Sequence, residues 1–420
     1  MSDLKVSSRT ESSSTLAIDR VLAKLYLPLL ILLCLFSIVQ YVRVSSLLAE
    51  TWSGWAIGDW LINYDTGPTR RGLSGTIIFF ISRVLTVKLN WLVLSIQLLA
   101  LVGLIGLFLD TVRTKALTFW YVVACFSPGF FLLFTYYDGM AVGRKEVLLF
   151  LTFMLWLRLC IKNKNSTTNT LLFSAVYFCL TLVHEAFFFY SPYFCVAAWL
   201  MNGKAYKKLT FAIPACSFIA TALTFVYFKT VDPVASCKQL LALAALPEVC
   251  VGILSSGTQD ALFLTREYFN QFDSVAFLNL CLIFVIILLP VYLVIRSPTV
   301  KPAKPFQWLV CMVGLICFSL PLFLFAIDWG RWISMHVTLS ILMLLLVLRD
   351  KSEHDQTMQP GLSNTAKVIS LLFASGCFLF FTLSYSLGHC CARDFFRPLG
   401  PINKIEHTAI FQRLVGPSKP

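Results

Sequence analysis

The chain has 420 residues, of which 58% are hydrophobic and only 13% are charged, and its formal net charge is +13. A soluble domain is nearer half apolar and a quarter charged, so the composition excludes an ordinary soluble protein. The apolar residues occur in blocks long enough to cross a hydrocarbon core of about 30 Å, and in lipid such blocks must be helical. The basic residues form no patch on a soluble module, which argues against a nucleic-acid-binding protein.

The sequence predicts an all-α fold, a polytopic integral membrane bundle of about eleven (roughly ten to twelve) transmembrane helices. Residues 1–20 are polar and Ser-rich, and we expect a disordered cytoplasmic tail there. Residues 21–388 are expected to form a single transmembrane domain with external loops at 49–90 and 229–273, followed by an external C-terminal tail at 389–420. The candidate spans are 25–47, 91–109, 117–135, 147–161, 170–188, 189–203, 209–228, 274–295, 307–327, 332–348 and 368–388.

The distribution of Lys and Arg orients these spans. Cytoplasmic loops hold the excess of basic residues, and a cytoplasmic N-terminus places the basic segments 110–115, 158–166 and 202–208 inside. The apolar stretch 73–87 is short and is interrupted by Ser-Arg, and a crossing there would move the second and third of these segments outside. We therefore interpret 73–87 as an interfacial or re-entrant helix.

Polar chemistry gathers in four segments that this threading places on the outer face. They are 52–75, rich in Trp, Gly and charge; 136–146, with the sequence YYDGMAVGRKE; the pair 184–185 at the end of a span; and 328–332, with the sequence DWGRW. Taken singly, such Trp, Tyr and Arg residues are most often interfacial anchors. Their combination at one face favours a functional site.

Each residue type in these segments has a predicted chemical role. Five cations stand beside Gly or in a turn and are expected to bind pyrophosphate: Arg70, Arg71, Arg144, Lys145 and Arg331. Guanidinium binds phosphate through paired hydrogen bonds, and glycine lets a backbone approach an anion closely. Four carboxylates are candidates for a general base: Asp65, Asp138, Glu185 and Asp59. The predicted site is completed by His184, Glu146, Asp328 and Trp329.

Other motifs narrow the possibilities. The sequence has no G-x-x-x-x-G-K-[ST] P-loop and no H-E-x-x-H zinc motif. The sequence indicates no cofactor, and its carboxylates are groups that could also bind a divalent metal. In the loop 229–273, residues 239–254 are predicted to form an amphipathic surface helix, either a lid or a simple connector. Cys237 and Cys250 share this loop, and we hypothesise a disulfide between them.

The loops YDTGPTRRGLSG, YYDGMAVGRKE and DWGRW and the overall topology resemble the O-antigen polymerase (Wzy) group and, more broadly, the GT-C-type membrane glycosyltransferases. The resemblance is one of plan and extends over most of the chain. It implies that an acidic residue of the first external loop is catalytic, and Asp59 and Asp65 are the matching positions. It also implies that external arginines hold a pyrophosphate, for which the candidates are Arg70, Arg71, Arg144 and Arg331.

Three classes of function remain after these observations. The first is a membrane glycosyltransferase or polysaccharide polymerase that uses a polyprenyl-pyrophosphate-linked oligosaccharide at the periplasmic face of the bacterial cytoplasmic membrane. The second is a transporter or flippase for a lipid-linked or anionic solute, and the third is a non-catalytic assembly subunit. Transporters usually carry polar sites near the bilayer midplane, whereas the ionisable residues here crowd the span ends. Expected partners are membrane lipid, the lipid-linked glycan, and a flippase or chain-length regulator, with no nucleic acid.

Overall fold

The computed structural model describes residues 7–50, 57–162, 164, 166–202, 207–227, 233–242, 263, 266, 267, 270, 274–297, 300, 305–351 and 365–385. Regular structure in these residues is helical, as predicted, apart from two isolated β-bridges. The first helices are α1 Ser7–Glu50, α2 Asp59–Leu61, α3 Gly72–Leu85, α4 Leu89–Val112, α5 Phe119–Cys125, α6 Phe131–Tyr137, α7 Glu146–Ile161 and α8 Thr167–Val183. They are followed by α9 Pro192–Asn202, α10 Lys207–Thr210, α11 Ala212–Tyr227, α12 Pro233–Ala242, α13 Ser274–Arg296, α14 Pro305–Phe325, α15 Trp329–Met343 and α16 Thr365–Ser384.

Among the described helices, four segments are long and apolar enough to cross a membrane: Lys24–Ser46 within α1, Leu89–Val112, Pro305–Phe325 and Trp329–Leu346. Large apolar side chains are exposed on the first three of these segments, and Leu99 and Phe306 are 72% and 75% exposed, whereas every residue of Trp329–Leu346 is buried. Apolar surface of this extent suits contact with lipid better than contact with water. These features fit an integral membrane protein, and the full number of spans stays a prediction.

Two predicted segments differ from the helices that form. Helix α1 already begins at Ser7, inside the expected tail 1–20, and no glycine or proline interrupts residues 7–27. The candidate span 117–135 is instead two short helices, α5 and α6, because Pro128 and Gly129 lie between them. Proline lacks the N–H that a continuous helix needs, and glycine weakens a helix interior.

The predicted boundary between the spans 170–188 and 189–203 lies earlier in the structure. Helix α8 ends at Val183, His184 has an extended backbone, and a 3-10 turn over Glu185–Tyr190 leads into α9. The His184 N–H still donates to Leu180 O, at 2.9 Å, so the helix is capped at this point. The consequence is that His184 and Glu185 lie in a connection, where their side chains can meet other helix ends.

The ambiguous stretch 73–87 forms helix α3, which has 14 residues. Its length is about 21 Å, which is shorter than a hydrocarbon core. It packs against α2, α4 and α8, and the Gly75 N–H donates to Ile62 O at 3.1 Å. Its placement as an interfacial or re-entrant helix stays a prediction.

Helix α15 lies at the centre of the described bundle. All of its residues are buried, and it packs against α5, α6, α7, α13 and α14. Several of its polar side chains have partners: Ser334 Oγ donates to Gly129 O at 2.8 Å, and His336 contacts Tyr193 Oη at 2.9 Å and Ser319 Oγ at 2.7 Å. The pairing satisfies polar groups that would otherwise be expensive inside an apolar bundle.

Ion pairs mark the end of the bundle at which α4, α7 and α15 finish. Asp110 pairs with Arg113 and with Arg158, each at 2.5 Å, and Lys115 pairs with Asp350 at 2.9 Å. Because α7 and α15 both run from one end of the bundle to the other, their first residues lie at the opposite end. The candidate site is at that opposite end.

Candidate functional site

Side chains from four connections meet where α3, α7 and α15 begin and α8 ends. We call this group the polar cluster, and its members are Asp59, Arg71, Arg144, Lys145, Glu146, His184, Glu185, Asp328 and Arg331. All of them belong to the predicted site. The cluster is mostly buried: His184 is 1% exposed and Lys145 is completely buried.

Arg71 connects the start of α3 to the end of α8. Its Nε and Nη2 atoms donate to Glu185 Oε2 and Oε1, each at 2.9 Å, and its Nη1 atom donates to Asp59 Oδ1 at 3.2 Å. Arg71 has a φ of 59°, a left-handed conformation that is rare for a residue with a side chain. Its two carboxylate partners hold the guanidinium in place despite this backbone strain.

Lys145 joins three connections through one ammonium group. Its Nζ atom donates to the backbone oxygens of Asp59 and Val183, at 2.8 Å and 3.2 Å, and forms an ion pair with Asp59 Oδ2 at 3.2 Å. An ammonium group has three N–H donors, so these contacts use all of them. Lys145 therefore fixes α2 and the end of α8 against the turn before α7.

Burial and neighbouring charges set the ionisation of the cluster. Burial lowers the pKa of Lys145 to about 8, although Asp59 favours its charged form. Burial acts to raise the pKa of Asp59, but Lys145 and Arg71 hold this pKa well below its usual range. Burial likewise opposes the ionisation of Glu185, but Arg71 lowers its pKa to about 2. Burial and the charge of Arg71 lower the pKa of His184 well below its ordinary value, so its imidazole is neutral at pH 7.

Arg331 forms the second centre of the cluster, at the start of α15. Its Nε atom donates to Glu146 Oε1 at 2.9 Å, its Nη2 atom contacts the same oxygen, and its Nη1 atom donates to Asp328 Oδ2 at 2.5 Å. Its Cζ atom lies 5.0 Å from the centroid of the Trp332 ring, and Nη2 is 3.5 Å from His184 Nε2. Arg331 thus ties α15 to the first residue of α7 and approaches the Arg71 side of the cluster through His184.

The Glu146 carboxylate is only half engaged. Both contacts with Arg331 use Oε1, and Oε2 is buried without a hydrogen-bond partner. Glu146 lines a cavity with about 50 Å³ of room for water-sized molecules. The cavity is lined by Tyr41, Leu101, Phe131, Phe134, Thr135, Ala141, Gly143, Arg144, Glu146, Val147, Phe150, Arg331, Ser334 and Met335. It combines apolar walls with a polar end formed by the cluster.

The turn that carries Arg144 and Lys145 is held by residues that the sequence did not predict. Gly143 has a φ of 82°, and its carbonyl accepts hydrogen bonds from Trp60 Nε1 and Gln97 Nε2, each at 2.7 Å. Gln97 Oε1 in turn accepts a hydrogen bond from Tyr41 Oη at 3.2 Å. The available signal was Gln97 itself, since an amide within an apolar span usually has a polar partner.

The glycines that follow Arg71 serve the packing of the chain. A Cβ atom on Gly72 would lie 2.2 Å from the Tyr64 ring, and one on Gly75 would lie 2.1 Å from Ile62 O. Close packing is therefore one reason for glycine here, and the close approach of this backbone to an anion stays a prediction. These positions need glycine because the segment before α3 crosses the helix at close range.

Three further predicted site residues are Asp65, Asp138 and Trp329. Asp65 is more exposed, and its Oδ2 atom is 3.5 Å from Arg83 Nη2 and 3.4 Å from Gln239 Nε2. Asp138 is buried at the end of α6, where its N–H donates to a carbonyl of that helix. Trp329 Nε1 donates to Phe323 O at 3.0 Å.

Arg70 precedes Arg71 and is partly buried. Burial lowers its pKa, and the charge of Glu185 acts in the opposite direction. Its position places a further cation beside the Arg71–Glu185 pair.

Helix α12 lies against the segment that leads to Arg70. Ser236 Oγ is 2.6 Å from Thr66 Oγ1, and Asn63 Nδ2 donates to Gln239 Oε1 at 3.3 Å. Cys237 takes part in a disulfide, while Cys250, its predicted partner, lies outside the described residues. Only residues 239–242 of the predicted amphipathic helix 239–254 are described, and they belong to α12.

The cluster offers acid–base and charge-stabilising chemistry. Among the described residues, no three His, Cys, Asp or Glu side chains lie close enough together to hold a metal ion. The carboxylates are instead interleaved with Arg and Lys. Such a site can stabilise an anion that forms during a reaction, and Glu146 can accept a proton.

Comparison with known proteins adds no relative. No protein-family model, curated protein or solved structure matches the chain. The resemblance to the O-antigen polymerase group stays a prediction that rests on the external loops and the overall plan.

Proposed function

We propose that the protein is a membrane glycosyltransferase of the polysaccharide-polymerase type. It transfers an oligosaccharide from a polyprenyl-pyrophosphate carrier to an acceptor hydroxyl at the periplasmic face of the bacterial cytoplasmic membrane. The carrier lipid would reach the site from the bilayer that surrounds the apolar helices.

One observation carries the proposal: the polar cluster itself. Its cations and carboxylates come from connections far apart in the sequence, and they gather at one end of an apolar bundle. Arg71 and Glu185, for example, are separated by 114 positions. A structural role in fixing helix ends accounts for the ion pairs, but it does not account for the unpaired Glu146 oxygen beside a cavity.

The proposed reaction follows from these charges. The acceptor hydroxyl oxygen bonds to the anomeric carbon of the donor sugar while the bond from that carbon to the diphosphate oxygen breaks. The electron pair of the broken bond stays on the diphosphate, whose charge the cations of the cluster stabilise. A carboxylate takes the hydroxyl proton.

The carboxylates of the cluster divide between two tasks in this scheme. Asp59 and Glu185 have both oxygens engaged with Lys145 or Arg71, so we assign them to positioning these cations. Glu146 keeps one unpaired oxygen, so the role of base passes to it from the preferred candidates Asp65, Asp138 and Glu185.

The proposal is tested by resolving surface glycans on a gel. The gene is deleted in its native host and restored with the wild type, Arg144→Ala or Arg113→Ala. Arg113 is the matched control, because it is paired and largely exposed at the other end of the bundle. We expect deletion and Arg144→Ala to reduce a ladder of long chains to single repeat units, while Arg113→Ala retains the ladder at an equal protein level. Unchanged glycans after deletion would reject the function.

A transporter or flippase is the second candidate, and a specific observation favours it. The Arg71–Glu185 and Arg331–Glu146 pairs join different helices at one end of the bundle. Such pairs can close one side of a transport path and open when the helices move. If deletion also removes single repeat units from the surface, export becomes the better account.

A further inference from the structure

We propose that the cavity beside Glu146 binds a neutral hydroxyl group on a sugar and that Glu146 Oε2 accepts its hydrogen bond. In the proposed reaction this hydroxyl belongs to the acceptor. That assignment rests on the proposed function, whereas binding of a hydroxyl in the cavity does not.

The unpaired oxygen of Glu146 requires a donor. The residue is 8% exposed, and Oε2 is buried without a partner while Oε1 receives both contacts from Arg331. Buried polar atoms in folded proteins are nearly always hydrogen-bonded, and an unsatisfied one calls for an explanation. Oε2 itself has almost no surface open to a water-sized molecule, so a ligand or water in the cavity supplies the missing partner once the carboxylate turns toward it.

The charges around the cavity select a neutral donor. A phosphate in the cavity would be repelled by the lone pairs of Glu146 Oε2. The nitrogens of Arg331 are already directed to Glu146 and Asp328. A metal cation in the cavity would be repelled by the positive charges of Arg331 and Arg144, and both residues line the cavity. A hydroxyl satisfies both kinds of neighbour, because it donates to the carboxylate and can accept from a guanidinium N–H.

The size and walls of the cavity fit part of a sugar. Its 50 Å³ compares with roughly 10–15 Å³ for one water in the same measure. The space therefore admits a hydroxyl and the carbons next to it. The apolar walls include Leu101, Phe131, Phe134, Val147, Phe150 and Met335, which suit the C–H face of a sugar ring.

The assignment gives Glu146 a defined step in the proposed transfer. As the acceptor oxygen bonds to the anomeric carbon and the diphosphate leaves with its electron pair, the hydroxyl proton moves to Glu146 Oε2. Glu146 then releases this proton to solvent or to the departing diphosphate, which restores the carboxylate.

Photolabelling measures occupancy of the cavity without turnover. The full-length protein in phosphatidylcholine nanodiscs is exposed to decyl glucoside or decyl phosphate, each with a diazirine beside its head group, and adducts are located by mass spectrometry. We expect decyl glucoside to label peptides with Phe134 and Phe150, and decyl phosphate to label them about tenfold less. Glu146→Gln should reduce the glucoside adducts by about tenfold, because a hydrogen bond to a charged group is lost. Asp110→Asn, the same chemical change at the other end of the bundle, should retain them.

Each other outcome has a definite meaning. Equal or stronger labelling by decyl phosphate would overturn the proposal in favour of an anion site, and this comparison needs only the wild type if Glu146→Gln fails to fold. Absence of glucoside adducts at both peptides would overturn the proposal, because no sugar would then occupy the cavity. A collapsed glycan ladder without these adducts would retain the transferase function and reject the hydroxyl site. The expected adducts with unchanged surface glycans would retain the site and reject the transferase function.

Discussion

The Arg71 guanidinium and the Glu185 carboxylate face each other through two hydrogen bonds, each 2.9 Å long. The pair joins the start of α3 to the connection after α8, across 114 positions of sequence. Arg71 makes these contacts from a left-handed backbone conformation, with a φ of 59°. The pair thus fixes both the side chain and an uncommon backbone geometry, which makes it a sensitive point of the site.

Replacement of Arg71 by lysine tests the value of the paired geometry. Lysine keeps the charge but cannot form two parallel hydrogen bonds with one carboxylate, so we expect the free energy of unfolding to fall by about 2 kcal/mol. Chemical denaturation of the purified protein in detergent measures the change. The control is Arg83→Lys, because the Arg83–Asp65 pair is exposed and 3.5 Å long, and its loss should cost less than about 0.5 kcal/mol. Equal effects of the two substitutions would contradict a special role for the Arg71 pair.

Acid should weaken the same pair over a defined pH range. The pKa of Glu185 lies at about 2 in the folded protein and at 4.5 without the fold, because Arg71 outweighs the effect of burial. A carboxyl with a depressed pKa contributes stability that is complete above its unfolded pKa and is lost as the pH falls through its folded pKa. We expect wild type to lose up to about 3 kcal/mol between pH 5 and pH 2 through this group. Glu185→Gln should show a correspondingly smaller loss, and parallel pH curves for the two proteins would exclude this linkage.

Lys145 should produce an opposite trend in base. Burial lowers its pKa to about 8 from 10.5, so between these values the unfolded chain binds more protons than the folded one. The stability contribution of this group therefore rises with pH, by up to about 3 kcal/mol between pH 8 and pH 10.5. Comparison of wild type with Lys145→Met, which cannot titrate, isolates this rise in denaturation curves. Lys115→Met removes a buried lysine at the other end of the bundle, and the rise in stability should persist in this variant because Lys145 is still present. Loss of the rise in Lys115→Met would contradict its assignment to Lys145.

The sequence could indicate which segments carry the site but not how their charges pair. Runs such as YYDGMAVGRKE and DWGRW stand out because charge is rare in this chain, and helix ends on one face of a bundle are near one another. The choice between Asp59, Glu185 and Glu146 as the base depends on which oxygens the cations occupy. Those contacts are long-range, and composition alone does not select them. The break between α5 and α6, by contrast, was visible in Pro128-Gly129.

The two glycines Gly75 and Gly106 offer the sharpest test of the fold around the site. Both lie within helices, where alanine is intrinsically favoured over glycine by about 1 kcal/mol. A Cβ atom on Gly75 would lie 2.1 Å from Ile62 O, whereas one on Gly106 would meet nothing within 4 Å. Gly75→Ala must therefore push the segment before α3 away from the helix, and we expect a loss of at least about 2 kcal/mol together with loss of glycan assembly. Gly106→Ala should leave stability unchanged or raise it. Thermal unfolding of both variants in one detergent measures the difference in stability. Unchanged stability of the Gly75→Ala protein would mean that the chain does not cross α3 at this distance.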